Sequence, residues 1–113
     1  MTQWKEITTT EEWTQKFEAS TSKPVVVLKH STTCPVSANA LDEFEAYLQK
    51  EPNTDVEYVL VKVIESRPVS NLIAEDTGVK HASPQIVYVK NKEAVWNTSH
   101  WSVTQAHMTA VLN

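Results

Sequence analysis

Apolar stretches along the chain predict five strands. They are residues 4–7, 25–29, 56–64, 85–90 and 93–97. The second stretch is apolar without alternation, which is typical of a central strand that is covered on both faces. The last two stretches are separated only by Asn91 and Lys92. We therefore expect them to pair as an antiparallel hairpin.

Apolar residues at spacings of three and four predict four helices between and after these strands. The helices begin near Thr9, Pro35, Ser66 and Ser102, and they end near Ala19, Lys50, Gly78 and Leu112. Thr9 with Glu12, and Ser102 with Gln105, form capping-box patterns that are expected to open the first and last helices. Gly78 lies where the third helix should end, because glycine is the usual residue just past a helix.

The predicted order of elements is βαβαβαββα. Strands that are separated by helices imply parallel crossovers, and the terminal hairpin makes the sheet mixed. We therefore predict an α/β protein with a mixed central sheet flanked by helices. A length of 113 residues suffices for one compact core but not for two ordinary ones. A single domain spanning residues 1–113 is the expectation.

Charge and composition exclude several classes of function. The net charge is -4 and the lysines are scattered, which disfavours a nucleic-acid partner. No run of about 18 apolar residues is present, and the amino terminus lacks the apolar core of a signal peptide. We expect a protein without a membrane partner. A lone cysteine favours a reducing compartment, so the predicted location is the cytoplasm.

Glycine and histidine positions exclude two kinds of bound group. The chain has a single glycine, whereas phosphate-binding and dinucleotide-binding loops need several. The four histidines, His30, His81, His100 and His107, do not show a zinc-site spacing with Cys34. No metal site is therefore predicted. His81 reads as an exposed loop residue, and Trp96 and Trp101 are expected to pack at the edge of the core.

Cys34, the only cysteine, lies where the second predicted strand gives way to a helix. Unpaired backbone N–H groups and the helix dipole favour a thiolate at that position. Pro35 suits the first helical position. Ser37 lies one turn further on, where its hydroxyl is in reach of the sulfur, and it also occupies the place of the second thiol in a Cys-x-x-Cys motif. No internal disulfide can form, so the predicted chemistry is monothiol exchange.

Two segments make the chain similar to proteins of the thioredoxin fold. Cys34-Pro35-Val36-Ser37 opens the helix after the second strand, where that superfamily has its active site, and Ala82-Ser83-Pro84-Gln85 directly precedes the hairpin. The resemblance implies that Pro84 is a cis-proline that faces the active cysteine. It also implies that the backbone there is free to pair with a substrate chain, with Ser83 and Pro84 holding it.

The motif Thr33-Cys34-Pro35-Val36-Ser37 resembles that of the monothiol bacilliredoxin family. This resemblance implies that Cys34 attacks the mixed disulfide of an S-thiolated client protein and collects its bacillithiol. Pro35 and Ser37 would shape and stabilise the thiolate, and Thr33 would contact the adduct. No bound cofactor is implied. The resemblance implies bacillithiol as the co-substrate, and a second low-molecular-weight thiol or a reductase that would regenerate the enzyme.

Two other interpretations stay open at the level of sequence. A non-catalytic thioredoxin-like module would use the groove beside Pro84 for docking, and its Cys34 would have the pKa of an ordinary cysteine. An iron–sulfur cluster carrier would use one protein thiol and one external thiol. The cluster-carrying monothiol glutaredoxins have the motif Cys-Gly-Phe-Ser, whose glycine is here replaced by Pro35. That difference disfavours the carrier.

Overall fold

The computed structural model describes residues 3–113, which form one five-stranded sheet and four helices. The strands are β1 (Lys5–Glu6), β2 (Val25–His30), β3 (Glu57–Lys62), β4 (Gln85–Lys90) and β5 (Glu93–Ser99). The helices are α1 (Thr10–Ala19), α2 (Pro35–Gln49), α3 (Arg67–Thr77) and α4 (Gln105–Leu112). The order is βαβαβαββα, as predicted, although β1 and β3 are shorter than the apolar pattern suggests.

Strand β2 is the centre of the sheet, whose strand order is β1-β3-β2-β4-β5. It pairs in parallel with β3, so that Val27 lies opposite Val59, and antiparallel with β4, so that Val27 also lies opposite Val87. Strands β4 and β5 form the predicted antiparallel hairpin. Asn91 and Lys92 turn the hairpin with φ angles of 53° and 60°. The sheet is therefore mixed, as expected.

Alternate residues at the start of β2 face two different cores, which explains why residues 25–28 are all apolar. Val26 and Leu28 pack in a cluster with Phe44 of α2 and Met108 of α4. Val25 and Val27 pack on the other face in a cluster to which α1 and α3 contribute Trp13 and Ile73. Burying an aliphatic or aromatic side chain of this size contributes roughly 1.5–3 kcal/mol, so both layers hold β2 in place.

The capping pattern predicted for α1 is confirmed, and the one predicted for α4 is wrong. Thr9 is the N-cap of α1, and its hydroxyl accepts a hydrogen bond from the Glu12 backbone N–H at 3.2 Å. Helix α4 is capped instead by Thr104, which accepts from the His107 N–H at 3.2 Å. The reason is a 3₁₀ turn at His100–Ser102, after which buried Val103 is extended. The helix cannot begin before that residue.

Helix α3 ends as the sequence predicts. Gly78 follows its last residue with φ 71°, in the left-handed region that glycine adopts at little cost. Ser66 occupies the N-cap position, but its side chain makes no capping hydrogen bond. None of the helices described for residues 3–113 combines the length and the apolar character that a membrane span requires.

Candidate functional site

Cys34 is the N-cap residue of α2, four residues past the end of central strand β2. Its backbone is extended, with φ -105° and ψ 124°, and Pro35 occupies the first helical position as predicted. The thiol is free and partly exposed. The sequence therefore folds locally as expected. The chain leaves the carboxyl end of β2, and proline starts the helix directly after the cysteine.

The amino end of α2 stabilises the thiolate of Cys34. The backbone N–H of Ser37 is the main cause that lowers the pKa of the thiol, followed by the backbone N–H of Val36. Partial burial opposes them by raising the pKa, and the Ser37 hydroxyl adds a smaller lowering effect. The net direction is downward, as the sequence predicts. The backbone donors of the first turn matter more than the hydroxyl.

Ser37 is fully buried and links α2 to the turn before it. Its Oγ accepts a hydrogen bond from the Ser31 backbone N–H at 3.2 Å. The same hydroxyl is a smaller cause that lowers the pKa of the Cys34 thiol. Ser37 thus both fixes the turn and faces the thiolate.

Thr33 belongs to the turn that joins β2 to Cys34. Its exposed side chain places Oγ1 at 3.3 Å from Ser31 Oγ. The neighbouring Thr32 donates its hydroxyl to Glu65 at 3.1 Å, which ties the turn to the connection between β3 and α3. These contacts fix the backbone on the amino side of Cys34. A contact between Thr33 and a bound client stays a prediction.

Ser83 and Pro84 lie at the same end of the sheet as Cys34. Gln85 pairs with Lys29, so the residues before Gln85 run beside the residues that lead from β2 to the cysteine. The Ser83–Pro84 peptide bond is cis, in agreement with the resemblance. Among residues 3–113, the buried Ser83 Oγ finds no hydrogen-bond partner.

The expectation that the backbone of Pro84 is free needs a correction. Its carbonyl accepts a hydrogen bond from the His100 N–H at 2.9 Å, because the pairing of β4 with β5 continues one step past Gln85 and Ser99. Proline has no N–H to offer. Any backbone pairing with a client at this point therefore falls to Ser83.

Lys29, His81 and Trp101 were not among the predicted site residues. His81 is exposed, as expected. The expectation that Trp101 packs at the core edge is wrong, since 65% of its surface is exposed on the 3₁₀ turn next to His100. Trp96 does pack against the core. Lys29 is fully buried at the end of β2, where its position in an otherwise apolar run was the available signal. His81 contacts it.

Within residues 3–113, no cluster of three or more histidine, cysteine or acidic side chains is placed to hold a metal ion. The site combines the thiol of Cys34, whose pKa is lowered, with the loop before Pro84, where the Ser83 Oγ has no hydrogen-bond partner among residues 3–113. Thiolates of this kind attack the sulfur atoms of disulfides.

Known proteins resemble this chain over nearly its whole length. Residues 5–108 match the family model of monothiol bacilliredoxin BrxC. A solved structure described as a proposed oxidoreductase with a thioredoxin fold shares 37% sequence identity, with a TM-score of 0.81 over 94% of this chain and 90% of that one. Thioredoxin from Malassezia sympodialis is 20% identical, with a TM-score of 0.77 over 97% and 88% of the two chains. Thioredoxin from Fasciola hepatica is 16% identical, with a TM-score of 0.74 over 94% and 93%. The fold is that of thioredoxin, and the chain belongs to the monothiol bacilliredoxin family.

Proposed function

We propose that this protein removes bacillithiol, or another low-molecular-weight thiol, from S-thiolated proteins through a mixed disulfide on Cys34. Family membership and the thioredoxin fold support a thiol oxidoreductase in general. The specific reaction is inferred from the family and from the residues around the sulfur.

The first step is a thiol–disulfide exchange. The Cys34 thiolate attacks the bacillithiol sulfur of the client's mixed disulfide, a new S–S bond forms on Cys34, and the old S–S bond breaks. The client sulfur leaves as a thiolate and takes a proton from solvent. The rate depends on the fraction of Cys34 that is ionised, and this fraction is raised by the N–H groups of Ser37 and Val36.

The second step needs a thiol from outside the chain. Ser37 occupies the position from which a second cysteine would attack, and Cys34 is the only cysteine in the sequence. An external thiolate therefore attacks the adduct, forms a disulfide with bacillithiol and returns Cys34 to its reduced form. The oxidising equivalent leaves with that small disulfide, and a low-molecular-weight thiol or a reductase supplies the reducing equivalents.

One observation carries the proposal. A partly exposed, free cysteine is the N-cap residue of α2, and the backbone N–H groups of Ser37 and Val36 lower the pKa of its thiol. Structural cysteines are typically buried and inert, whereas low-pKa, accessible cysteines react with disulfides. A purely docking module has no use for this arrangement, so the lowered pKa favours the redox function over that alternative.

Intact-mass spectrometry tests the proposal. A single-cysteine protein carrying a bacillithiol adduct is mixed with the reduced protein under anaerobic conditions, and both masses are followed in time. We expect the client to lose the adduct as Cys34 gains it. The Cys34→Ala variant should leave the client unchanged. Undiminished loss of the adduct with that variant, or no transfer to the wild type, would reject the proposed function.

A further inference from the structure

Lys29 is a buried cation in the middle of the molecule that the exchange chemistry does not use. It lies at the carboxyl end of β2 and is 0% exposed. Its Nζ donates to the Ser70 carbonyl of α3 at 3.0 Å and lies 3.3 Å from Nδ1 of His81. Burial lowers the pKa of Lys29 to about 8. A cation buried at that cost is a candidate for a specific structural task.

No carboxylate of residues 3–113 lies within salt-bridge distance of the Lys29 ammonium group. Among residues 3–113, the ion pairs are Lys16–Glu57, Lys62–Glu6 and Lys92–Glu18, all at the surface or partly exposed. The partners of Lys29 are instead two neutral acceptors, the Ser70 carbonyl and the His81 ring. A buried ammonium group that loses its hydrogen bonds destabilises the folded state. The contacts of Lys29 therefore fix the positions of the groups that accept from it.

His81 is held as a neutral acceptor by this contact. Its Nδ1 faces the Lys29 ammonium at 3.3 Å and the Ser70 hydroxyl at 3.4 Å, so the proton of the imidazole belongs on Nε2. Burial is the main cause that lowers the pKa of His81, and the charges of Lys29 and Arg67 lower it further. A protonated His81 would place a second cation beside Lys29 and would break the contact.

The contact anchors the loop that carries Ser83 and Pro84. His81 lies two residues before Ser83, and Gln85, the first residue of β4, pairs directly with Lys29. The side chain of Gln85 donates from Nε2 to the Lys80 carbonyl at 3.0 Å, which ties the same loop from its other end. The loop of residues 79–84 is therefore fixed to the central strand through Lys29 and its strand partner.

We propose that Lys29 and His81 are positioning residues. Their contact holds Ser83 at the end of the sheet beside Cys34, where the backbone of a client protein pairs. This inference rests on the proposed function. In this proposal Lys29 and His81 contribute to the binding of polypeptide clients. The reactivity of Cys34 depends on the amino end of α2. A small disulfide lacks a peptide backbone, so its reaction with Cys34 should not depend on pairing with the loop.

Kinetics with two disulfides test the inference. The first probe is a short synthetic peptide with one bacillithiolated cysteine, and the second is the symmetrical disulfide of bacillithiol. Three variants are compared. Lys29→Met removes the charge and keeps an unbranched side chain of similar size, and His81→Leu removes the acceptor. His81→Asn supplies a side-chain oxygen that replaces Nδ1 as the acceptor. Alkylation of Cys34 by iodoacetamide across pH serves as the control for reactivity.

We expect Lys29→Met and His81→Leu to lower kcat/KM for the peptide about tenfold, mainly through KM, because the loss of one charged hydrogen bond is of that order. The rate at which bacillithiol is transferred from its symmetrical disulfide to Cys34, and the alkylation profile, should not change. His81→Asn should restore most of the peptide activity. With wild-type protein, activity on the peptide should also fall as His81 becomes protonated in acid, and His81→Asn should remove that part of the pH profile.

Equal losses on both disulfides, or no loss on the peptide, would overturn the inference. If Lys29→Met does not fold, the matched pair His81→Leu and His81→Asn decides alone. A wild type that is inactive on both probes would reject the proposed function itself. An active wild type whose His81 variants behave alike would reject only the positioning role.

Discussion

Ser37 decides what happens to an adduct on Cys34. Its buried hydroxyl accepts a hydrogen bond from the Ser31 N–H and lowers the pKa of the Cys34 thiol, so it favours the thiolate without being able to attack a disulfide. A thiol at the same position could do both. Two substitutions at this residue therefore separate stabilisation of the thiolate from release of the adduct.

Replacing Ser37 by alanine should raise the apparent pKa of Cys34 and still leave it below that of an unperturbed cysteine. The hydroxyl donor is lost, whereas the backbone N–H groups of Ser37 and Val36, the larger contributions, remain. The pH profile of iodoacetamide alkylation measures this shift. Thr32→Val is the matched control, because that hydroxyl bonds to Glu65 and its loss should leave the profile unchanged. An unshifted profile for Ser37→Ala would contradict the role of the hydroxyl.

Replacing Ser37 by cysteine should convert the protein to dithiol chemistry. The new thiol lies one helical turn from Cys34, so it can attack the Cys34 adduct and release bacillithiol without an external thiol. Mass spectrometry should show the adduct replaced by an internal disulfide. Ala38→Cys is the control, since its side chain is exposed one position further along the helix, and that variant should keep the adduct. Persistence of the adduct in Ser37→Cys would contradict this geometry.

At the scale of elements, the ends of the helices show what local sequence can and cannot specify. Thr9 with Glu12 was sufficient to place the start of α1, because both partners of the capping box lie within one turn. Ser102 with Gln105 matched the same pattern and failed. The intervening Val103 is buried in the core, and that tertiary contact keeps the chain extended until Thr104.

Gly78 ends α3 for a reason that belongs to the backbone alone. At φ 71° a side chain is strained, yet a Cβ atom added there would meet no atom within 4 Å. We expect Gly78→Ala to lower the free energy of unfolding by about 1–2 kcal/mol. Urea denaturation measures this change. Gly78→Asn should cost less, because asparagine tolerates the left-handed region. Equal costs for the two variants would point to a steric cause instead.

At the scale of the whole molecule, the order of elements and the position of Cys34 at the start of α2 followed from sequence, because apolar periodicity and the position of Pro35 are local signals. The cis form of Pro84 was an expectation from the family resemblance. The contacts around Lys29 did not follow from sequence. Its partners Ser70 and His81 lie 41 and 52 residues away along the chain, and only the packing of α3 and the pairing of β4 bring them together. The same limit applies to Trp101, whose exposure depends on the turn between β5 and α4.

Lys29 should give the protein an unusual dependence of stability on pH. Its pKa is about 8 in the folded state, against about 10.5 in an unfolded chain, so the unfolded state binds more protons between these values. Stability therefore rises with pH in that window, by about 1–2 kcal/mol between roughly pH 8 and 9.5. Above about pH 10 the trend should reverse. Burial raises the pKa of Tyr58, which stays protonated in the folded state while unfolded tyrosine ionises.

Urea denaturation at half-unit steps of pH measures this dependence for the wild type and for Lys29→Met. Methionine is unbranched, slightly shorter than lysine and cannot titrate, so the rise in stability below pH 9.5 should vanish in the variant, whatever its absolute stability. The fall caused by Tyr58 should remain. A wild-type stability that is flat or falling from pH 8 to 9.5 would mean that the ammonium group of Lys29 is well solvated in the folded protein. The contacts of Lys29 with Ser70 and His81 would then contribute little to stability. The loop before Pro84 would be held by the pairing of Gln85 alone.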